Sequence, residues 1–235
     1  LFALALVPPV MAWLLPQGRR WPEGVQQPAQ RRRLTLARYR HLDAHPRLFA
    51  RFKLALDPMF ERLDALVGDA EQLVDLGAGH GLQGAWLLSG SPRRFVRALE
   101  PDPDRASVAR WVLGERGHLT EAALPTLPDA PPQDVVLLLD VAHYLDDETL
   151  GETLGGVFGL LRPGGRLLLR DTVPGRPGFA WERVVEATLM RLRRQRAHFR
   201  PRGELQARLE AVGFHVQLEA TPGREETWFI ATRPQ

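Results

Sequence analysis

The chain has no cysteine, and that absence closes off several chemistries at once. No disulfide framework, thiolate metal site or thiol nucleophile is available. The lack fits a reducing compartment, so the expected location is cytoplasmic. Lysine is nearly missing too: Lys53 stands alone among 31 cations, the rest being arginine. A GC-rich genome's codon usage produces such a bias, so arginine number alone argues for no particular partner. The formal net charge is only +3, which gives no sign of a nucleic-acid binder. Nor does any run reach the roughly 20 apolar residues that an ordinary spanning helix needs. Leu1–Leu15 comes nearest, almost wholly apolar, broken by Pro8-Pro9 and followed by Gly18-Arg19-Arg20. A signal peptide carries its charge before the apolar run, not after it. Two readings stay open: the tail of a membrane segment whose beginning is missing, or an apolar arm packed on the domain or a partner. The basic flank would put the following chain on the cytoplasmic side, so residues 1–20 are a candidate contact with the inner face of a membrane. Leu1 in place of Met leaves a fragment or an unusual start open.

What is present is organised around Leu73-Val74-Asp75-Leu76-Gly77-Ala78-Gly79-His80-Gly81. A short apolar run ends in an acid and then three glycines at alternate positions. The run reads as a buried strand, and the glycines as a tight turn into a helix beginning near Leu82. Glycine accepts positive φ there and lets a ligand approach bare backbone. The helix N-terminus aims its N–H groups into the same space.

Residues 1–33 read as an apolar arm and linker, 34–68 as a helical cap and 69–235 as the ligand-binding domain. Arg19–Arg33 is rich in proline, glutamine and arginine. Helical spacing returns over Leu34–Ala44 and Pro46–Val67, with a fresh start at Asp57-Pro58. Leu48, Phe49, Phe52, Leu56, Phe60, Leu63 and Leu66 form one stripe, read as covering a sheet edge or the mouth of the site. Strands then alternate with helices. Strands are expected at Gln72–Leu76, Phe95–Glu100, His118–Glu121, Asp134–Leu139 and Arg166–Arg170. A closing hairpin is expected from Phe214–Ala220 and Thr227–Thr232. Helices are expected at Leu82–Ser89, Asp104–Arg116, Thr149–Leu161, about Ala180–His198 and Gly203–Val212. Arg162-Pro163-Gly164-Gly165 reads as a turn. This is an α/β, doubly wound, seven-stranded and mostly parallel sheet with an N-terminal helical extension.

Two ligand classes use such a turn. Gly79, Gly81 and Gly84 match the dinucleotide pattern G-x-G-x-x-G, with Glu100 acceptably placed downstream. That register leaves Asp75 buried inside the strand, where a lone acid is costly. Read as Asp75-x-Gly77-x-Gly79-x-Gly81, the acid sits at the strand tip and can meet a cation. A pyrophosphate is repelled there, while the ammonium group of S-adenosylmethionine (SAM) is attracted.

From about Gln72 onward the sequence resembles the class I SAM-dependent methyltransferases. The likeness rests on the glycine turn and on Arg97-Ala98-Leu99-Glu100-Pro101-Asp102. It rests also on Asp134-Val135-Val136-Leu137-Leu138-Leu139-Asp140-Val141-Ala142-His143-Tyr144, on Leu160–Leu167, and on Leu209-Glu210-Ala211-Val212-Gly213-Phe214. The resemblance implies a Rossmann-like fold with SAM as cofactor. Asp75, Leu76, Gly77, Ala78, Gly79 and Gly81 would lie under its methionyl part and ribose. Glu100, followed by Pro101, would accept from the ribose hydroxyls, and Asp140 and Val141 would line the site. The family's Asp-Ala after the third strand is matched only by Glu121-Ala122, which would face the adenine. The implied acceptor is a small or carrier-bound molecule, most readily a hydroxyl.

Each residue has a plainer reading. Asp75, Glu100 and Asp140 could be helix or turn caps. His143 could be the base for a hydroxyl acceptor, with Tyr144 beside it, or a buried packing residue. Asp171, ending the fifth strand, stands with His143 and Tyr144 as a candidate catalytic residue. It could join Asp140 on a metal, but two acids without a third ligand favour a structural role over that one. No metal is expected. Arg191, Arg193, Arg194, Arg196, His198, Arg200 and Arg202 could complement a helix dipole or form a docking surface for an acidic partner. Tyr39, Arg40, His41, Lys53 and Asp57 could lie over the pocket. Alternatives to an enzyme of this class are a non-catalytic SAM-binding or membrane-docking module and, more remotely, an NAD(P)-dependent oxidoreductase.

Overall fold

The computed structural model describes Trp21, Gly24, Val25 and residues 27–173, 197–220 and 224–235. Most of the helix expected at Ala180–His198, the arginines 191–196 and the arm at residues 1–20 lie outside the described residues. Seven strands make one sheet in the order β3-β2-β1-β4-β5-β7-β6. The chain divides into two compact units, 1–122 and 123–235.

The first unit carries α1 (Pro28–Tyr39), α2 (Ala44–Leu56), α3 (Met59–Val67), β1 (Gln72–Leu76), α4 (Leu82–Gly90), β2 (Phe95–Leu99), α5 (Pro103–Leu113) and β3 (Gly117–Thr120). β1 pairs with β2, and β2 with β3, all parallel. β1 is buried from Leu73 to Leu76, β2 is half-buried at Phe95 and Arg97, and in β3 only Leu119 is buried while His118 is exposed, so burial falls off toward β3. Helix α1 starts six residues before the expected Leu34. Pro28 occupies its first turn, where a missing N–H costs nothing, and Ala, Gln and Arg are good helix formers. The last six residues of the composition that reads as a linker, 28–33, are therefore helical. The break at Asp57-Pro58 holds: Asp57 Oδ1 accepts the Met59 N–H at 2.9 Å. α5 opens with Asp102 accepting from Arg105 N–H at 3.0 Å, and Pro103 follows it at the first helical position.

Arginines close this unit. Arg38 donates to the carbonyls of Val112 and Trp111, Arg94 to those of Leu87, Gly68 and Ala70, and Arg116 to those of Leu88 and Ser91. Carbonyls near helix ends lack intrahelical partners, and a guanidinium fork reaches two of them at once. Arg31 pairs with Asp64 and lies over Trp86, whose indole N–H also donates to Asp64.

The second unit carries β4 (Gln133–Leu139), α6 (Asp147–Leu160), β5 (Leu161–Thr172), α7 (Arg202–Val212), β6 (His215–Ala220) and β7 (Glu226–Thr232). β4 and β5 are parallel, whereas β7 runs antiparallel to both β5 and β6. The expected turn at Arg162–Gly165 falls inside a longer β5. Gln133 pairs with Leu161 and Val135 with Arg166, so the intervening residues are looped out of register. Ala197 and His198, the last two residues of the expected helix, are not helical.

Candidate functional site

In the first unit the tip of β1 and the turn after it form a small acidic cradle. Asp75 is 2% exposed, and its Oδ2 is buried without a hydrogen-bond partner. Burial, and then the neighbouring Glu100 charge, push its carboxyl up to about 7. The Gly84 N–H opposes the rise only in part, and a cation would relieve the remaining desolvation. Leu76 and Ala78 are buried beneath it. Gly77 and Ala78 donate their N–H groups to the Leu99 carbonyl at 2.8 and 2.9 Å. The turn is thereby tied to the tip of β2.

Glu100 is also buried. Its Oε2 accepts the Gly79 N–H at 2.8 Å and its Oε1 the Asp102 N–H at 3.1 Å. Each carboxylate oxygen has capacity for a second donor, so two further hydroxyls could be held. Gly79 has φ +56°, and a Cβ there would meet nothing within 4 Å. The backbone is open on that side, as a cradle needs. Gly81 serves packing instead: a Cβ would come within 3.0 Å of Ala109 Cα on α5. Gly84, the last glycine of the dinucleotide pattern, likewise makes room for Leu113, whose Cδ2 would lie 2.6 Å from a Cβ.

Two residues of this cradle go beyond the sequence motif. The Tyr39 hydroxyl at the end of α1 donates to the His80 carbonyl at 2.9 Å. Burial, and then the Asp75 charge, raise its pKa well above the usual phenol value. Sequence position alone brought Tyr39 forward; Arg40 and His41, named with it, are exposed, and Lys53 pairs with Asp57 at 2.8 Å. His80 carries a signal only in hindsight, as the side chain between two turn glycines. Its pKa falls to about 4, through burial first and then His45 and Arg105, so at neutral pH it adds no cation to the cradle. Pro101 and Glu121 are exposed and Ala122 half-buried.

In the second unit the tip of β4 holds a different constellation. Asp140 has φ +58°, a left-handed conformation costly for a non-glycine residue and concentrated at functional positions. Its N–H donates to the Arg170 carbonyl at 2.8 Å, and its Oδ2 accepts from Arg170 at 3.1 Å. Arg170 is fully buried and also donates to Glu226 at 3.1 Å. Val141 is half-buried and leads into a short 3₁₀ turn, Ala142–Tyr144.

On that turn His143 Nδ1 lies 2.5 Å from Asp171 Oδ1. Both groups are buried, His143 to 1% and Asp171 to 3% exposure. Burial raises the Asp171 pKa, and the His143 hydrogen bond opposes the rise. Asp171 also accepts the Thr172 N–H at 2.8 Å. The imidazole stacks on Phe199, ring centroids 5.2 Å apart, and lies 4.2 Å from the Tyr144 ring, which is 41% exposed. The turn is clamped by Arg200, which donates to the carbonyls of Ala142, Leu145 and His198 and to Asp147. His198 donates its N–H to the His143 carbonyl at 2.7 Å. Arg200 is thus a buried brace rather than part of a docking surface; Arg202 is exposed. Asp140 and Asp171 are engaged by Arg170 and His143, and no group of three metal-ligating side chains occurs among the described residues.

Charged residues inside apolar strands were the signal for Arg170 and Asp171. Arg200 had none, because its partners are mostly carbonyls. Among the described residues, no helix is long and apolar enough to cross a membrane.

No protein-family model and no curated protein sequence matches the chain. Solved structures do. An O-methyltransferase family protein from Burkholderia thailandensis superposes with TM-score 0.66 at 23% identity, over 85% of this chain and 62% of that one. The human N-acetylserotonin methyltransferase, in complex with SAM, gives TM-score 0.64 at 19% identity, over 86% and 59%. SAM-bound CalS10, an amino pentose methyltransferase from Micromonospora echinaspora, gives 0.56 at 19% identity, over 74% and 88%. The chain spans about three fifths of the length of the first two. A strand order with antiparallel β7 between β5 and β6, matched to these structures, gives this chain the fold of the class I SAM-dependent methyltransferases.

Proposed function

We propose that this chain is an enzyme that moves a methyl group from SAM to a hydroxyl oxygen of a small or carrier-bound acceptor. The observation that carries the reading is the buried Asp75 oxygen without a partner, beside the open backbone of Gly79. The residues fit the cofactor by charge. Asp75 would hold its ammonium group, and Glu100 the ribose hydroxyls. The Asp75 carboxylate beside the turn would repel a dinucleotide's pyrophosphate instead. Bound SAM supplies a methyl already activated on a sulfonium, so the protein's work is to align the reactants and exclude water.

The hydroxyl acceptor rests on His143 and Asp171. A carboxylate on Nδ1 fixes the tautomer that leaves the lone pair on Nε2, the atom that takes a proton. Asp171 then stabilises the imidazolium formed as the acceptor oxygen becomes a nucleophile. Arg170, by compensating Asp140, keeps that strand tip from adding an uncompensated negative charge. The O-methyltransferases among the structural neighbours support an oxygen acceptor. The test is incubation of purified protein with SAM and a pool of phenolic and alkyl alcohols. Formation of S-adenosylhomocysteine with a methyl ether supports the reading. SAM binding with no turnover over any acceptor class favours a non-catalytic SAM-binding module.

A further inference from the structure

The stripe that starts on α2 is only half used by the fold. Phe60 and Leu63, on α3, are buried, but on α2 Leu48 is 50%, Phe49 39%, Phe52 57% and Leu56 67% exposed. The inner face of that helix is Pro46 and Ala50, both buried. At 100° per residue, Leu48, Phe52 and Leu56 fall on one line with Phe49 beside it. Arg47 and Arg51, both exposed, border that line on one side; Lys53, on the other, is engaged by Asp57. No acid lies between Ala44 and Leu56.

The charge around this face is lopsided. Residues 28–56 carry seven arginines and Lys53 against Asp43 as their one acid. The whole chain is only +3, so the remainder is net negative. Arg31 and Arg38 are buried by their partners, but Arg32, Arg33, Arg40, Arg47 and Arg51 are exposed. A short helix with exposed phenylalanine and leucine, bordered by cations and without acids, has the make-up of an interfacial helix. An anionic lipid surface complements both parts: acyl chains accept the rings, and headgroups accept the guanidiniums.

We propose that α2 docks this chain on an anionic bilayer, lying in the interface plane with Leu48, Phe49, Phe52 and Leu56 inserted. The docking face borders the glycine turn, since the Phe49 ring lies 5.0 Å from that of His80. This assignment does not depend on the methyl-transfer reading.

The test is co-sedimentation of the full chain with phosphatidylcholine vesicles and with vesicles containing phosphatidylglycerol as well. The chain is expected to pellet with the anionic vesicles and to be released by high salt. The double variant Leu48→Glu/Phe52→Glu is expected to lose at least about tenfold in partitioning. Arg47→Gln is expected to lose about fivefold on anionic vesicles alone. Because the chain has no cysteine, Leu48→Cys can carry a single polarity-sensitive dye, whose emission should shift blue on anionic vesicles. That readout stands even if the charged variant folds poorly. Unchanged sedimentation of a folded double variant would overturn the proposal, as would an unshifted dye. A dimer in sedimentation velocity that the double variant dissolves, with no vesicle binding, would assign the face to a second copy instead.

Discussion

At the scale of single residues, the account turns on two acids with opposite tasks. Asp75 is held near a pKa of 7 by burial and Glu100, above its unfolded value near 3.9. The folded state therefore binds this proton more tightly than the unfolded state. Its contribution to stability is full below about pH 4 and is lost as pH rises toward 7. A cationic ligand favours the ionised form, so its binding should release a proton and tighten as pH rises through about 7. Asp75→Asn should weaken SAM binding roughly thirtyfold or more and flatten that pH dependence. Asp171 has a partner instead. His143→Ala should lower kcat at least about a hundredfold with little change in SAM affinity, measured by single-turnover kinetics beside calorimetry. Equal losses in both would make His143 a packing residue.

At the scale of elements, arginines set the geometry that side-chain pattern could not reveal. Arg200 holds the Ala142–Leu145 turn through two of its carbonyls and through Asp147. Arg200→Met should lower kcat about tenfold while SAM affinity stays near wild type, because only the turn bearing His143 is loosened. Arg38→Ala, which strips two α5 carbonyls of their donor, should cost about 1–3 kcal/mol in urea unfolding. These roles were not legible in the sequence, where arginine abundance looked like codon usage. The alternation of strands and helices and the closing hairpin were legible, because a strand such as β4, buried along most of its length, writes an unbroken apolar run. The start of α1 was not, since Pro28 and the arginines after it look alike in a linker and in a first helical turn. The stripe from Leu48 to Leu66 misled for another reason: one period crosses two helices, and only the second turns its share inward. Asp171 was legible as a candidate, but its pairing with His143 was not, because the two lie 28 residues apart in sequence.

At the scale of the whole molecule, two compact units each carry one of the two constellations. The first holds the acidic cradle, the second the His143–Asp171 pair. A ligand that binds only the folded chain should raise its melting temperature by mass action. With SAM the rise should be larger at about pH 8 than at about pH 6, following the Asp75 proton. NADH should give none, because its pyrophosphate would meet the Asp75 carboxylate. The most direct measurement is calorimetric titration of SAM into wild-type and Asp75→Asn protein across that pH interval, in buffers of differing ionisation heat. Tight binding by the wild type, with proton release that the variant lacks, is the predicted result. Equal affinity in the two proteins, or no linked proton, would contradict the claim that a buried carboxylate at the tip of β1 recognises the methyl donor.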